Sequence, residues 1–276
     1  MNIAVVGLGI IGGSFCKAIK KYTDHYVIGI NRTVQIAEKA LSVGAIDEIG
    51  TPESLLSADI VILTMYPQAD VEFIEQYGKY INKSAIVTDA SGIKSAICPK
   101  MSELAQKFGF VFIGSHPMAG KEKNGFDVSE ADLYQNASFI ITPCGAEQKY
   151  VDVLSALARK IGFTTIKITT PEEHDRMIAF TSQLPHVLAC AYVLSPCCPN
   201  HNGFSAGSYR DVSRVANINS KLWSELFLEN KQPLIKELDI LIDNITNIKN
   251  AIQADDKVTL TELLEQGHKV KTALGE

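Results

Sequence analysis

NIAVVGLGIIGGSF, residues 2–15, runs from an apolar stretch through Gly7-Leu8-Gly9-Ile10-Ile11-Gly12 into a helix-like segment. A strand that ends in a tight glycine turn and feeds a helix is half of a βαβ unit. Gly7 permits the turn, Gly9 lets the backbone approach a pyrophosphate, and Gly12 lets the helix pack close to the strand. The helix start at Ile10 and Ile11 offers unpaired N–H groups and the positive end of a dipole to phosphates. Alone, this glycine spacing is a weak sign, so its surroundings decide. Apolar runs recur at 26–31, 59–65, 85–90, 110–114, 138–142 and 164–168, with helix-length connections such as 34–43 and 70–80 between them. Most are continuously apolar, as in strands covered on both faces of a parallel sheet. Residues 1–170 are therefore expected to form an α/β, doubly wound, Rossmann-type parallel-sheet domain that holds a dinucleotide.

Selectivity between NAD and NADP is set where the second strand ends. That position holds Asn31, followed by Arg32 and Thr33. A carboxylate there would repel a 2′-phosphate; Asn31 does not. Arg32 can stack on adenine or pair with the phosphate, and Thr33 can donate a hydrogen bond. The expected cofactor is NADP or NAD, with NADP favoured.

After Pro171 the texture changes. PEEHDRMIAFTSQLPHVLACAYVL, residues 171–194, has helical spacing broken by Pro185. From Trp223 onward, Leu226, Leu234, Leu238, Leu241, Ile245 and Ile248 form an apolar stripe that predicts one long helix. Residues 171–276 thus read as an all-α domain. So apolar a domain of only ~100 residues favours a core shared between two copies of the chain, a homodimer.

Bulk composition narrows the function. The chain has 276 residues, 46% hydrophobic and 21% charged, with a net charge of −5. These values are globular, and with no basic run beyond Lys20-Lys21 they give no surface for nucleic acid or an anionic membrane. The N-terminal segment lacks a basic leader, and no apolar stretch reaches the ~18–20 residues of a membrane helix. The six cysteines show no C-x-x-C pair, which suits free thiols in the cytoplasm. Cys197, Cys198 and His201 are poor zinc ligands because adjacent cysteines rarely share one tetrahedral site, so no metal is expected.

The polar residues left over are His116, Glu122, His174-Asp175, Ser182, His186, Arg210-Asp211 and Arg214. An enzyme that oxidises an alcohol with a nicotinamide needs a group to take the hydroxyl proton, and histidine suits this near neutral pH. His116 follows the apolar run 110–114, so it lies at the face where open α/β sheets bind ligands. Pro117 restricts its backbone to extended conformations.

GLGIIGGS, TDASGIK, GSHPMAGKEKNGF, EEHDRM, SQLPH and YRDVSRVA occur in the order found in prephenate dehydrogenases, a group that includes arogenate dehydrogenases, and the resemblance covers essentially the whole chain. It implies a dinucleotide domain followed by a helical domain that interlocks in a homodimer. It also implies oxidative decarboxylation of prephenate to 4-hydroxyphenylpyruvate in tyrosine biosynthesis, or of arogenate to tyrosine. In that resemblance His116 matches the histidine that meets the C4 hydroxyl, and Arg214 an arginine that binds a substrate carboxylate, reaching the other subunit's cleft. His186 and Ser182 match pocket residues, and Trp223 a pocket-side aromatic. Glu122, Asp175 and Asp211 match acids that position the arginine and gate the cleft. The family often has a serine where this chain has Gly92; Ser91 is the neighbouring substitute, though neighbours in an extended segment point opposite ways. Asn124 stands where an acid would favour the amino group of arogenate, which favours prephenate. The resemblance also admits tyrosine as an inhibitor at the same site.

Two other readings fit a two-domain dinucleotide binder. A β-hydroxyacid dehydrogenase relies on a lysine in the helical domain, and 171–220 contains none. A sensor that binds NADP without turnover has no need of His116, His186 and Arg214 together.

Overall fold

In the computed structural model, which describes residues 1–121 and 123–275, strand β1 (Asn2–Val6) sends Ile3 and Val5 into one hydrophobic core and Ala4 and Val6 into another. Apolar residues at every position are thus accounted for by cover on both faces. Helix α1 (Ile10–Tyr22) leads to β2 (Tyr26–Ile30), α2 (Val34–Ser42), β3 (Glu48–Ile49) and β4 (Ile60–Leu63). Then come α3 (Pro67–Tyr77), β5 (Ile86–Asp89), α4 (Lys94–Phe108), β6 (Val111–Pro117), β7 (Ser138–Thr142), α5 (Gln148–Lys160) and β8 (Thr165–Ile168). The core on one face takes residues of α1, α2 and α5; the other takes residues of α3 and α4. The strand order is β3-β2-β1-β4-β5-β6-β7-β8, so the chain reverses direction across the sheet between β1 and β4, where doubly wound folds bind ligands.

Two features depart from the expected sheet. Strand β3 has two residues and pairs only with the end of β2, too short to leave a periodic signal. Strand β6 continues through His116 to Pro117 and pairs with β7 antiparallel, with His116 opposite Ile140, so the sheet is not parallel throughout. No α-helix lies between β6 and β7 among the described residues, and a parallel return needs such a crossover.

The helical region comprises α6 (Pro171–Ile178), a π-turn (Ala179–Gln183), α7 (Leu184–Val193), α8 (Gly207–Ser213), α9 (Ser220–Glu229), α10 (Lys231–Gln253) and α11 (Lys257–Ala273). Pro185 does not break the helix; it is the second residue of α7, directly after the π-turn. A wider turn is a usual way to absorb a residue that does not fit the i→i−4 ladder. The single long helix expected from the stripe is interrupted at Asn230, whose buried side chain donates to Asp175 O (2.9 Å) and Gln183 Oε1 (2.8 Å). Pro233 then falls in the first turn of α10, where its missing N–H costs little. Leu234 is buried, but Ile242 and Ile245 remain 55% and 49% exposed on this chain. Among the described residues no helix is long and apolar enough to cross a membrane.

Candidate active site

The glycine loop is built for close approach. Gly7 has φ +93°, a left-handed conformation that favours glycine, and its N–H bonds Ile30 O at 2.9 Å. A Cβ on Gly12 would sit 2.0 Å from Gly7 O and 2.4 Å from Thr64 Oγ1, so only glycine lets α1 pack here. A Cβ on Gly9 would meet nothing within 4 Å; this is the open side. Gly9 is the N-cap of α1 and supplies no side chain to the first helical N–H groups, at Ile10 and Ile11. These residues fit the phosphates of a dinucleotide. Asn31 has a part that its sequence position did not reveal: its Oδ1 accepts Leu8 N–H at 2.8 Å and its Nδ2 donates to Thr33 O at 3.0 Å. Its amide braces the loop from β2. Arg32 and Thr33 are exposed beside it.

At the same edge of the sheet a cavity of about 610 Å³ opens between β6 and the helical region. His116, Asn124, Ser182, His186 and Trp223 all line it, so residues from three distant stretches of the sequence meet there. His186 stacks on Trp223 with ring centroids 3.7 Å apart, and its Nδ1 lies 2.7 Å from Ser182 O. A carbonyl only accepts, so His186 carries its proton on Nδ1 and offers Nε2 as acceptor.

Behind His116 lies an arrangement that sequence reasoning did not assemble. His116 Nδ1 is 2.9 Å from His174 Nε2, and His174 Nδ1 is 2.6 Å from Asp175 Oδ1. His174 and Asp175 are buried. Asp175 also accepts Lys94 N–H and Ser95 N–H, each at 2.8 Å, and so caps the first turn of α4. Burial pushes the Asp175 carboxyl up, but the hydrogen bonds from His174, Lys94 and Ser95 together outweigh it and hold it below the usual carboxylate range. The Asp175 carboxylate accepts a hydrogen bond from His174 Nδ1–H, leaving His174 Nε2 to accept from His116 Nδ1–H. The lone pair of His116 Nε2 is then left for the cavity, a tautomer assigned by the network. Burial pushes the His116 pKa well below the ordinary histidine value, and the neighbouring His174 and Lys94 add to the shift. The sequence signal was the HD pair in EEHDRM, a histidine and an acid together at the start of a helix.

The floor beneath is a buried ion pair. Lys94 Nζ bonds Asp89 Oδ2 and Ser115 O, with neither the lysine nor the aspartate side chain exposed. Asp89 also accepts Ser91 N–H at 2.8 Å and Ser115 N–H at 3.1 Å, tying the end of β5 to the residue before His116.

The remaining expected residues fall elsewhere. Asp175 anchors the histidine pair and the first turn of α4. Arg214 and Asp211 are exposed and do not line the cavity of this chain, although Asn217 and Asn219, just beyond, do. The reason is local: Asp211 lies in the short α8 and Arg214 at the head of the tight turn that ends it. Ser91 is buried with its Oγ unpartnered and is absent from the cavity lining, whereas Gly92 is present and a Cβ there would touch only Leu226 at 3.4 Å. Glu122 lies outside the described residues. Cys198 Sγ lies 3.3 Å from Tyr209 Oη, and His201 Nδ1 lies 3.0 Å from Ser205 Oγ.

Known proteins resemble this chain along nearly its whole length. Residues 15–167 match the model for the prephenate dehydrogenase nucleotide-binding domain, and residues 170–266 match that for the prephenate dehydrogenase dimerization domain. The prephenate dehydrogenase of Bacillus subtilis is 30% identical over 94% of this chain and 72% of its own length. The cyclohexadienyl dehydrogenase of Zymomonas mobilis is 28% identical over 99% of this chain and 96% of its own. Among solved structures, the arogenate dehydrogenase of Synechocystis superposes with a TM-score of 0.87 at 28% identity, covering 99% of this chain and all of the other. The prephenate dehydrogenase of A. aeolicus, in complex with hydroxyphenyl propionate and NAD+, gives 0.86 at 25% identity, covering 99% and 98%. With a strand-turn-helix glycine loop, a histidine held at the ligand edge and both domain models matched, this chain is an NAD(P)-dependent dehydrogenase that belongs to the prephenate dehydrogenase family.

Proposed function

We propose that this enzyme converts prephenate to 4-hydroxyphenylpyruvate by oxidising C4 and releasing the ring carboxylate as CO2, with His116 as the base. One observation carries the assignment of the base: the Asp175–His174–His116 chain leaves an unprotonated Nε2 on the cavity wall. When bound, the oxidised nicotinamide supplies the hydride acceptor. Gly7, Gly9, Gly12 and the N–H groups of Ile10 and Ile11 would hold its phosphates. His116 Nε2 takes the proton of the substrate hydroxyl, while Nδ1 stays bonded to His174, which keeps the ring from turning. His186, Ser182 and Trp223 wall the substrate, and Arg214 holds one of its carboxylates at the cleft of the partner subunit. The ring that forms is aromatic, which supplies the thermodynamic drive.

NADP is the favoured cofactor because exposed Arg32 and Thr33 stand after β2, and the residue before them is an amide, not an acid. Absorbance of the reduced nicotinamide, followed with prephenate or arogenate and with each oxidised cofactor, tests both assignments. The expected outcome is a higher kcat/KM with prephenate and with NADP. Turnover of neither substrate would overturn the reading, and a preference for arogenate or for NAD would reverse the corresponding choice.

The same proposal includes a homodimer through the helical region. Ile240, Ile242 and Ile245 of α10 and Val258 of α11 are 47%, 55%, 49% and 70% exposed on the single chain, apolar side chains that a second copy would cover. Sedimentation equilibrium at micromolar concentration should give twice the chain mass of 30.1 kDa, and a strictly monomeric species would refute the pairing.

A further inference from the structure

Among the described residues that line the cavity, Lys121 is the only lysine or arginine, and there is no aspartate or glutamate. Lys121 lies three residues before Asn124 in the segment that follows β6, and both face the same space as His116. Its ammonium is held by the Glu130 carboxylate at 2.6 Å, with side-chain exposures of 38% and 56%. The pair is therefore partly wet, and an exposed pair of this kind is worth little in stability. A carboxylate entering the cavity meets a lysine whose present partner lies outside the lining.

We infer that Lys121 is a substrate-binding residue that holds a carboxylate of the substrate and favours the keto acid prephenate over the amino acid arogenate. This rests on the proposed reaction. Prephenate carries two carboxylates and no positive charge. Arogenate carries the same two with an ammonium in place of the keto oxygen, so its net charge is one unit less negative. A cavity with one lysine and no acid among its described lining residues attracts the dianion more strongly and offers the substrate's own ammonium no described carboxylate. Lys121 and Glu130 exchange partners on binding: the lysine turns from protein carboxylate to substrate carboxylate, and Glu130, already exposed, returns to water.

Steady-state kinetics of the full-length enzyme with saturating cofactor test this. Lys121→Gln should raise KM for prephenate about ten- to a hundredfold, the value of one hydrogen bond to a charged group, with kcat little changed. KM for arogenate should rise less, so the prephenate-to-arogenate ratio of kcat/KM falls. Lys121→Arg should restore most of the prephenate affinity, and Lys121→Glu should push the ratio further toward arogenate. A KM for prephenate within twofold of wild type in Lys121→Gln overturns the assignment, as does a loss that Lys121→Arg does not repair. If the wild-type enzyme turns over neither substrate, the proposed reaction has failed; if it turns over prephenate and Lys121→Gln does so equally well, only the role of Lys121 has.

Discussion

His116→Asn should lower kcat by roughly 10²–10⁴, the usual contribution of a positioned general base, and leave dinucleotide affinity unchanged. Asparagine keeps a polar group of similar reach, so the cavity stays filled and the loss reports on proton transfer. The pH profile supplies a second check. A base acts only when unprotonated, so activity must fall as acid protonates it. Burial, with help from His174 and Lys94, pushes the His116 pKa well below the ordinary value, and that displaces the fall toward acid. In the wild-type enzyme kcat/KM should therefore be level through neutrality and decline only below the normal histidine range of about 6.5. The asparagine variant should lose that acid limb along with its rate. Unchanged turnover in a purified, cofactor-binding variant would remove His116 from the chemistry.

Asp89→Asn should be the most destabilising single change near the site. The side chains of Asp89 and Lys94 are both wholly buried, and the lysine has Asp89 and the carbonyl of Ser115 as its partners. Neutralising the aspartate strands an ammonium in the interior, a change that typically costs about 3–5 kcal/mol. For a chain of this length that corresponds to a fall in Tm of roughly 10 °C. If stranded charge is the cause, Asp89→Asn combined with Lys94→Met should melt higher than Asp89→Asn alone, because the second change removes the orphaned ion. A single variant that melts within a degree or two of wild type would show that the pair adds nothing. By contrast, the partly wet Lys20–Asp47 pair, at 32% and 26% exposure, should matter far less.

What the sequence could reveal followed from the range over which each signal acts. The glycine loop and continuously apolar strands are local patterns, and they located the sheet because burial on both faces leaves no other reading of residues such as Ile3 to Val6. His116 was legible for the same reason: it stands two residues after the apolar run 110–114 and precedes a proline. The antiparallel pairing of β6 with β7 was not, since it depends on what the intervening loop omits. Nor was the break at Asn230: the apolar stripe shows only a wider gap there, from Leu226 to Leu234, and a side chain bonded to Asp175 and Gln183, 55 and 47 residues away, decides the matter. The histidine pair shows the limit most clearly. His174 and His116 lie 58 residues apart, and only the folded sheet edge makes the first the orienting partner of the second. Arg214, legible as a motif residue, is held outside the cavity of its own chain by the turn in which it sits.

The π-turn at Ala179–Gln183 stores one residue more than a regular helix would use over the same rotation. Each residue of a regular helix advances the direction of its side chain by roughly 100°. A one-residue deletion that restored regular winding at the π-turn would therefore leave His186 facing Trp223, whereas one that kept the π-turn and shortened the start of α7 would swing it away. Natural variation should lose a residue from the π-turn far more readily than from the helix that follows it.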